Sequence, residues 1–211
     1  MDFVGSNLAC VRGNLEIFSG LSFSLELGEV LMLTGSNGSG KTSLLRLMAG
    51  LSRPTKGVIL WQGRSISADP EEHFGQMTYV GHSDALKPYL TAFENLALWT
   101  AIRKPACTKD QLVKALDTFG LKSVMGKPAG YLSAGQRRRA ALARLVSVDA
   151  TLWLLDEPTI GLDDHACSYL FDAIHNHRKK GGMTVIATNV ALPLRETQTL
   201  DLGAYISGIT Q

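Results

Sequence analysis

Residues 35–42, with the sequence GSNGSGKT, form a glycine-rich segment that fits the pattern G-x-x-x-x-G-K-[ST]. Residues 29–34 before it are short, apolar and partly β-branched, which predicts a buried strand. Residues 43–50 after it carry leucine and methionine at helical spacing and stop at a glycine, which predicts a helix. A strand, a glycine loop and a helix in this order predict a phosphate site, because backbone N–H groups and a helix N-terminus both face an anion.

The side chains of this phosphate loop, residues 35–42, have distinct expected roles. Lys41 is expected to reach the β- and γ-phosphates of a nucleoside triphosphate, and the Thr42 hydroxyl is expected to bind Mg²⁺. The other positions expected to bind the nucleotide are Gly35, Ser36, Asn37, Gly38, Ser39, Gly40 and Ser43. The segment therefore predicts a site for a nucleoside triphosphate with Mg²⁺.

The amino-acid composition limits which kinds of partner the chain is expected to bind. The 211 residues are 45% hydrophobic and 19% charged, which suits one compound soluble domain with a substantial core. A formal net charge of +2 offers no electrostatic reason to expect nucleic-acid binding, so no nucleic-acid partner is predicted. The first residues lack a secretory pattern, and no apolar run approaches the length of a membrane span. Any membrane attachment is therefore expected to come from another chain.

The remaining pattern predicts strands and helices in a defined order. Strands are predicted within the first 34 residues and at 58–61, 77–80, 151–155 and 184–188, helices at 91–103, 108–119, 134–146 and 165–180, and a polar loop at 65–75. The apolar runs 151–155 and 184–188 are typical of strands covered on both faces, and the helix between them predicts a parallel sheet with right-handed crossovers.

Two acidic residues follow the predicted strand 151–155 directly. Ligands of open parallel sheets gather at the carboxyl ends of the strands, where the phosphate loop also lies. Asp156 is expected to bind Mg²⁺, since this cation prefers carboxylate oxygen, and Glu157 to orient or deprotonate an attacking water. The alternative for two adjacent acids is a solvated turn.

A second anion site is predicted at the start of the helix 134–146. Ser133 suits the N-cap, and the small Ala134 and Gly135 expose the first backbone N–H groups before Gln136. Ordinary helix capping is the alternative interpretation, because one nucleotide in the same chain would have to reach both sites.

Together these segments resemble the ATP-binding cassette (ABC) ATPases. Residues 35–42, 132–136, 152–157 and 161–163 stand in the order of the Walker A loop, the signature, the Walker B strand and the D-loop of that family. The resemblance implies ATP as the nucleotide and a head-to-tail homodimer in which the signature of one subunit covers the ATP of the other. It also implies a role for Asp163 of the D-loop in catalysis.

The same resemblance implies the fold. It predicts an α/β P-loop NTPase with a RecA-like parallel core, N-terminal antiparallel strands and an inserted α-helical subdomain. The whole chain, 1–211, is expected to be one ABC ATPase domain. Its core is assigned to residues 1–84 and 151–211, and the inserted subdomain with the signature to residues 85–150.

Within the family, the whole chain resembles the ATP-binding subunits of cytochrome c maturation. The residues that carry this likeness are at 50–54, 60–63, 79–82 and 132–138. The resemblance implies a peripheral subunit on the cytoplasmic face of the inner membrane, or on the matrix face in mitochondria. It implies integral membrane partners and ATP-driven release of a haem-loaded chaperone or export of haem.

Three positions depart from the general family pattern. His82 stands where most ABC ATPases have glutamine; a neutral imidazole can still make one hydrogen bond, and a plain loop residue is the alternative. Asn189 stands where a histidine usually reaches the γ-phosphate, so slow rather than absent hydrolysis is expected. Arg12 lies near the expected stacking aromatic and can stack on adenine, or it is a solvated arginine.

Two further segments allow more than one interpretation. Consecutive helical residues point in different directions, so Arg137, Arg138 and Arg139 predict a solvated helix with one arginine packed inward rather than a nucleic-acid surface. Residues 87–98 form either a surface for a membrane partner or the packed face of a core helix. Two functional alternatives also stand: an ABC ATPase for another substrate, and a nucleotide-dependent assembly protein with weak hydrolysis.

Overall fold

Two β-sheets and seven α-helices are present in residues 2–104 and 106–205, which a computed structural model describes. Residues 1, 105 and 206–211 of the predicted core and insertion lie outside the described residues. The strands are β1 (Phe3–Arg12), β2 (Leu15–Leu25), β3 (Val30–Thr34), β4 (Lys56–Trp61), β5 (Arg64–Ser65), β6 (Met77–Val80), β7 (Leu152–Asp156), β8 (Met183–Ala187) and β9 (Thr197–Asp201). The helices are α1 (Lys41–Met48), α2 (Pro70–Gln76), α3 (Ala92–Arg103), α4 (Lys109–Thr118), α5 (Ala134–Leu142), α6 (Arg144–Ser147) and α7 (Asp164–Lys179).

The central sheet is parallel throughout, with the strand order β6-β7-β8-β3-β9. Its inner strands are almost entirely apolar because alternate side chains serve two separate cores. Their polar residues are Thr34 and Asp156, which end β3 and β7, and Thr184 in β8. In β7, for example, Leu152 and Leu154 join one core, whereas Trp153 and Leu155 join the other. This arrangement brings the carboxyl ends of β3, β7 and β8 to one edge, where the phosphate loop follows β3.

The second sheet is antiparallel, with the order β2-β1-β4-β5. Helix α1 lies between the two sheets: Leu44, Leu45, Leu47 and Met48 share one core with residues of both. Because α1 packs against both sheets, the position of its N-terminus, which adjoins the phosphate loop, is fixed. The predicted α/β fold with antiparallel N-terminal strands is thereby confirmed.

Helices α3 to α6 lie between β6 and β7 in the chain, as the predicted helical insertion requires. Their apolar side chains pack with α7 and one face of the parallel sheet. Leu96 of α3 is fully buried in this core, whereas Leu98 is exposed. Among the described residues no helix is long and apolar enough to cross a membrane.

Two local predictions were wrong, and one strand was not predicted. The segment 65–75 contains helix α2, because Asp69 accepts a hydrogen bond from the Glu72 N–H and Pro70 occupies the first turn. The predicted helix 134–146 is two helices separated at Ala143. Strand β9 was not predicted, since its side chains are polar or only partly buried and its position depends on pairing with β3.

Candidate functional site

The phosphate loop owes its shape to glycines in left-handed conformations. Gly38 and Gly40 have φ angles of 85° and 100°. At Gly40 a side chain would also collide, because a Cβ atom would lie 2.6 Å from Ile17. Gly40 precedes α1 without a side-chain cap, so the first N–H groups of this helix are directed towards an anion rather than a capping side chain.

The Lys41 ammonium folds back over the loop that precedes it. Its Nζ atom donates to the carbonyl oxygens of Gly35 at 2.7 Å and Ser36 at 3.1 Å. A third hydrogen bond, 2.7 Å long, goes to Oδ1 of Asn189. The residue is only 7% exposed, so these oxygens replace water around the cation. Lys41 is therefore held at the loop, within the cleft that a triphosphate would enter.

Thr42 and Asp156 meet although 114 residues separate them. The Thr42 hydroxyl lies 3.1 Å and 3.0 Å from the two carboxylate oxygens of Asp156, which is 2% exposed. A hydroxyl and a carboxylate are hard oxygen donors of the kind that Mg²⁺ prefers, so these residues fit the predicted metal. The described residues hold no cluster of three His, Cys, Asp or Glu side chains suited to a metal. Water and phosphate oxygens would have to complete the coordination.

Glu157 follows Asp156 in an unusual backbone conformation. Its φ angle is 47°, which is uncommon outside glycine. Its N–H group donates to the carbonyl oxygen of Ala187 at 2.9 Å, so the turn after β7 is tied to the end of β8. Glu157 lines the same cleft as Lys41 and Thr42. A carboxylate in this place has access to water in the cleft.

Asn189, two residues after the end of β8, connects two parts of the phosphate loop. While its Oδ1 atom accepts from Lys41, its Nδ2 atom donates to Oδ1 of Asn37 at 2.6 Å. The amide therefore occupies the space beside the lysine that the γ-phosphate is expected to approach. His82, after β6, also lines the cleft, and its side chain is exposed.

The cleft itself has a volume of about 1100 Å³. Some of its lining residues were not predicted from the sequence: Ile17, Thr159, Ile160, Leu162, Cys167, Phe171, and residues 190–193. The sequence offers only one indication that these residues line the cleft: most of them follow Glu157 or Asn189 closely in the chain. Burial, followed by the charges of Asp164 and Asp163, raises the pKa of the Cys167 thiol, so it stays protonated at neutral pH.

The predicted signature lies outside this cleft. Ser133 caps α5: its hydroxyl accepts from the Gln136 N–H at 3.2 Å, and Gln136 Oε1 accepts from the Ser133 N–H at 3.0 Å. Ser133 and Ala134 are exposed, and a Cβ atom on Gly135 would lie 3.0 Å from the Gly161 carbonyl oxygen. The structure thus places the signature against the D-loop and away from the phosphate loop of the same chain.

The last two predicted site residues also lie away from the cleft lining. Asp163 caps α7 by accepting a 2.7 Å hydrogen bond from the Ala166 N–H. Arg12 ends β1 with an exposed side chain, and Ile17 lines the cleft instead. An apolar Ile17 surface can contact an adenine face, but it lacks the charge that was expected from Arg12.

Comparisons with known proteins agree with this geometry. The ABC transporter family profile matches residues 18–160. The cytochrome c biogenesis ATP-binding export protein CcmA of Paramagnetospirillum magneticum is 44% identical over 205 residues, covering 96% of this chain and 94% of that protein. The protein of the same name from Rhodospirillum rubrum is 48% identical over 201 residues, covering 94% and 85%.

Solved structures share the fold at lower identity. A putative ABC transporter ATP-binding protein from Pyrococcus furiosus has a TM-score of 0.84 at 22% identity, covering 98% of this chain and 100% of that chain. A dimeric ATP-binding cassette in a post-hydrolysis state, bound to ADP and phosphate, has a TM-score of 0.80 at 22% identity, covering 89% and 88%. The chain therefore belongs to the ABC transporter family, among its cytochrome c biogenesis ATP-binding export proteins.

Proposed function

We propose that this protein is the ATP-binding and ATP-hydrolysing subunit of a membrane complex in cytochrome c biogenesis. The observation that carries this proposal is the convergence of Lys41, Thr42 and Asp156 at the ends of β3 and β7. A buried ammonium and a hydroxyl–carboxylate pair are the groups that a triphosphate with Mg²⁺ needs. The names of the relatives supply the biological process.

We assign each residue of the site a separate role in ATP hydrolysis. Lys41 and the N-terminus of α1 bind the phosphates. Thr42 and Asp156 would hold Mg²⁺, which would neutralise charge on the phosphate oxygens. Glu157 accepts a proton from the attacking water or orients it, so that the water oxygen bonds to the γ-phosphorus while the bond from this phosphorus to the bridging oxygen breaks and ADP leaves. The γ-phosphate replaces the Asn189 Oδ1 atom as acceptor of the Lys41 ammonium, and the Asn189 Nδ2 atom donates to this phosphate instead of to Asn37. His82 contacts the water or Mg²⁺.

Completion of the site requires a second copy of the chain. Ser133, Ala134, Gly135 and Gln136 present backbone N–H groups at the exposed start of α5, whereas their own phosphate loop lies elsewhere. We propose that they cover the ATP of a partner subunit in a head-to-tail homodimer, with Asp163 close to the shared site. Arg12 is proposed to reach the adenine.

The same proposal includes the cellular location of the subunit. The subunit binds integral membrane proteins of a cytochrome c maturation complex from the cytoplasmic face of the inner membrane, or from the matrix face in mitochondria. The whole chain, 1–211, is proposed to act as one ABC ATPase domain, with its core at 1–84 and 151–211 and the helical subdomain that carries the signature at 85–150. Hydrolysis then drives release of a haem-loaded chaperone or export of haem.

Phosphate release from the purified protein with Mg²⁺ and ATP tests the proposed activity. Lys41→Ala should lower turnover on the order of 10²-fold or more, because a preorganised cation leaves the site. Lys122→Ala is the matched control, since Lys122 is exposed and pairs with Asp117 at 3.5 Å. Equal turnover in the two variants would exclude the phosphate-loop assignment.

One observation favours a second function. Asn189 holds Lys41 in place and supplies no cation of its own, which suits a nucleotide-dependent assembly protein with weak hydrolysis. Such a protein would bind ATP and dimerise but release little phosphate. Measuring ATP binding and phosphate release on one preparation separates the two functions, and a haem stain of the copurified membrane complex separates the proposed process from transport of another substrate.

A further inference from the structure

Arg138, in the middle arginine position of the segment 137–139, points inward from α5 and is 4% exposed. Its guanidinium lies within hydrogen-bond distance of six acceptor atoms. Nη2 donates to the carbonyl oxygens of Asp156 and Glu157, both at 2.9 Å, and Nε to that of Pro158 at 3.3 Å. Nη1 donates to the Gly81 carbonyl at 2.8 Å and lies 3.5 Å from that of His82 and 3.4 Å from Oδ1 of Asp84.

These acceptors belong to two different loops of the candidate site. One is the turn 156–158 after β7, which carries the proposed general base, and the other is the loop 81–84 after β6, which carries His82. A planar guanidinium carries five donors on three nitrogen atoms and can bind both loops at once, whereas a lysine would have to serve these acceptors from one nitrogen with three donors. Arg138 is therefore the side chain through which the signature helix contacts both loops.

The contact with the turn 156–158 has a specific consequence for Glu157. Its left-handed backbone is unfavourable for a residue with a side chain, so neighbouring groups must stabilise it. Arg138 binds the carbonyl oxygens of Glu157 and of the residues on either side. This fixes the direction in which the Glu157 side chain leaves the backbone.

The same residue is connected to the exposed start of α5. Arg138 follows Ser133 by five residues, about 7.5 Å along a helix that rises about 1.5 Å per residue. Residues 134–142 form one uninterrupted helix, so a displacement of its first turn moves the guanidinium as well. A ligand that displaces this first turn would therefore also displace the turn 156–158 through Arg138.

We propose that Arg138 is a positioning residue for ATP hydrolysis, which holds the Glu157 carboxylate and the His82 loop in one arrangement and links both to the signature helix. The proposal rests on the proposed roles of Glu157 and the signature. In a head-to-tail dimer, nucleotide bound at Ser133 belongs to the partner subunit's site. Arg138 would then make water activation in one site depend on occupancy of the other.

The test compares Arg138→Lys with Arg139→Lys. Arg139 lies on the same helix, but it donates to the carbonyl oxygens of Phe119 and Gly120, away from the cleft. Arg138→Lys should lower kcat about 10–10²-fold, because misplacing a catalytic group by about 1 Å costs up to about 10²-fold. ATP affinity should stay within about twofold of wild type, and Arg139→Lys should leave both quantities within about twofold.

A second comparison separates positioning from loss of structure. In a Glu157→Gln background, measured as slow single turnover, Arg138→Lys should cause no further loss, because it acts through the missing carboxylate. An additional loss of tenfold would overturn the proposal. If the thermal midpoint shows that Arg138→Lys is unfolded, Arg138→Gln, which keeps two N–H donors, replaces it.

The controls also separate this proposal from the proposed function. If the wild-type protein releases no phosphate from ATP with Mg²⁺, the ATPase function itself is wrong. If the wild type is active and Arg138→Lys has the kcat of Arg139→Lys, only the positioning role is wrong. A fall in ATP affinity with an unchanged kcat would also contradict it, since that pattern indicates a binding residue.

Discussion

Replacing Asn189 with histidine tests whether the missing cation limits hydrolysis. In the structure the Asn189 amide accepts from Lys41 at 2.7 Å and donates to Asn37 at 2.6 Å, so it touches two parts of the phosphate loop. An amide can donate a hydrogen bond to the γ-phosphate but carries no charge. A histidine at this position can make the same contact when its side chain is protonated. This imidazolium form is expected to stabilise charge on the departing phosphoryl group.

The size of the effect follows from the two kinds of hydrogen bond. A neutral bond contributes about 0.5–1.5 kcal/mol and a bond to a charged group about 1.5–3 kcal/mol, so the substitution should gain about 1.4 kcal/mol in the transition state. This difference corresponds to about tenfold in rate. Asn189→His should therefore raise kcat about tenfold where the imidazole is protonated.

The structure also predicts in which direction the kcat of Asn189→His changes with pH. An unperturbed imidazole has a pKa of about 6.5, and the Lys41 ammonium beside position 189 would lower the pKa of the new histidine in the free protein. Bound triphosphate opposes this effect, because its negative charge favours the imidazolium. The gain should thus appear in kcat and grow as the pH falls from neutral to mildly acidic.

The assay is steady-state phosphate release at saturating ATP and Mg²⁺ for both forms across that pH range. Asn189→Ala is the control: it removes both hydrogen bonds and adds no cation, so its kcat should fall below that of wild type at every pH. Equal rates for wild type and Asn189→His throughout would refute the reasoning and show that this position does not limit the enzyme.

Three further predictions concern dimer formation, the metal and stability. Glu157→Gln keeps the shape of the side chain but not the base, so it should trap ATP in a stable dimer; size-exclusion chromatography with ATP and Mg²⁺ checks this, and a monomer contradicts the head-to-tail arrangement. Thr42→Val removes the hydroxyl beside Asp156, so ATP binding should lose most of its dependence on Mg²⁺, measured by titration with and without the metal. Burial against Trp153 lowers the pKa of His177 to about 4, whereas an unfolded chain binds that proton near 6.5. The free energy of unfolding should therefore fall by up to about 3 kcal/mol as the pH drops from about 6.5 to about 4, and urea titrations of His177→Phe should lack this part of the decrease.

Local chain properties made much of the site predictable. The glycines of the phosphate loop are needed wherever the backbone is left-handed, and Gly40 meets Ile17 too closely for any side chain. The buried strands β3, β7 and β8 are recognisable as apolar runs, because each must cover two cores. Asp156 and Glu157 follow such a run, so their place at the carboxyl edge of the sheet could be inferred from the chain alone.

Other features were absent from any local pattern. Helix α2 is short and polar, so its only local signal is the capping by Asp69, which its turn-like composition obscures. Strand β9 is an edge strand of polar and half-buried residues, so its existence depends on the partner β3. Ile17 of β2 lines the cleft, and no local sequence pattern marks it as a lining residue.

The sequence by itself determined the phosphate loop, the buried strands and the order of the predicted motifs, because backbone geometry and burial act over a few residues. Only the tertiary structure decided that Asn189 binds Lys41, 148 residues away, and that Arg138 binds the loops after β6 and β7. Such contacts form when distant segments are packed together, and no short-range pattern specifies which polar groups will then face each other.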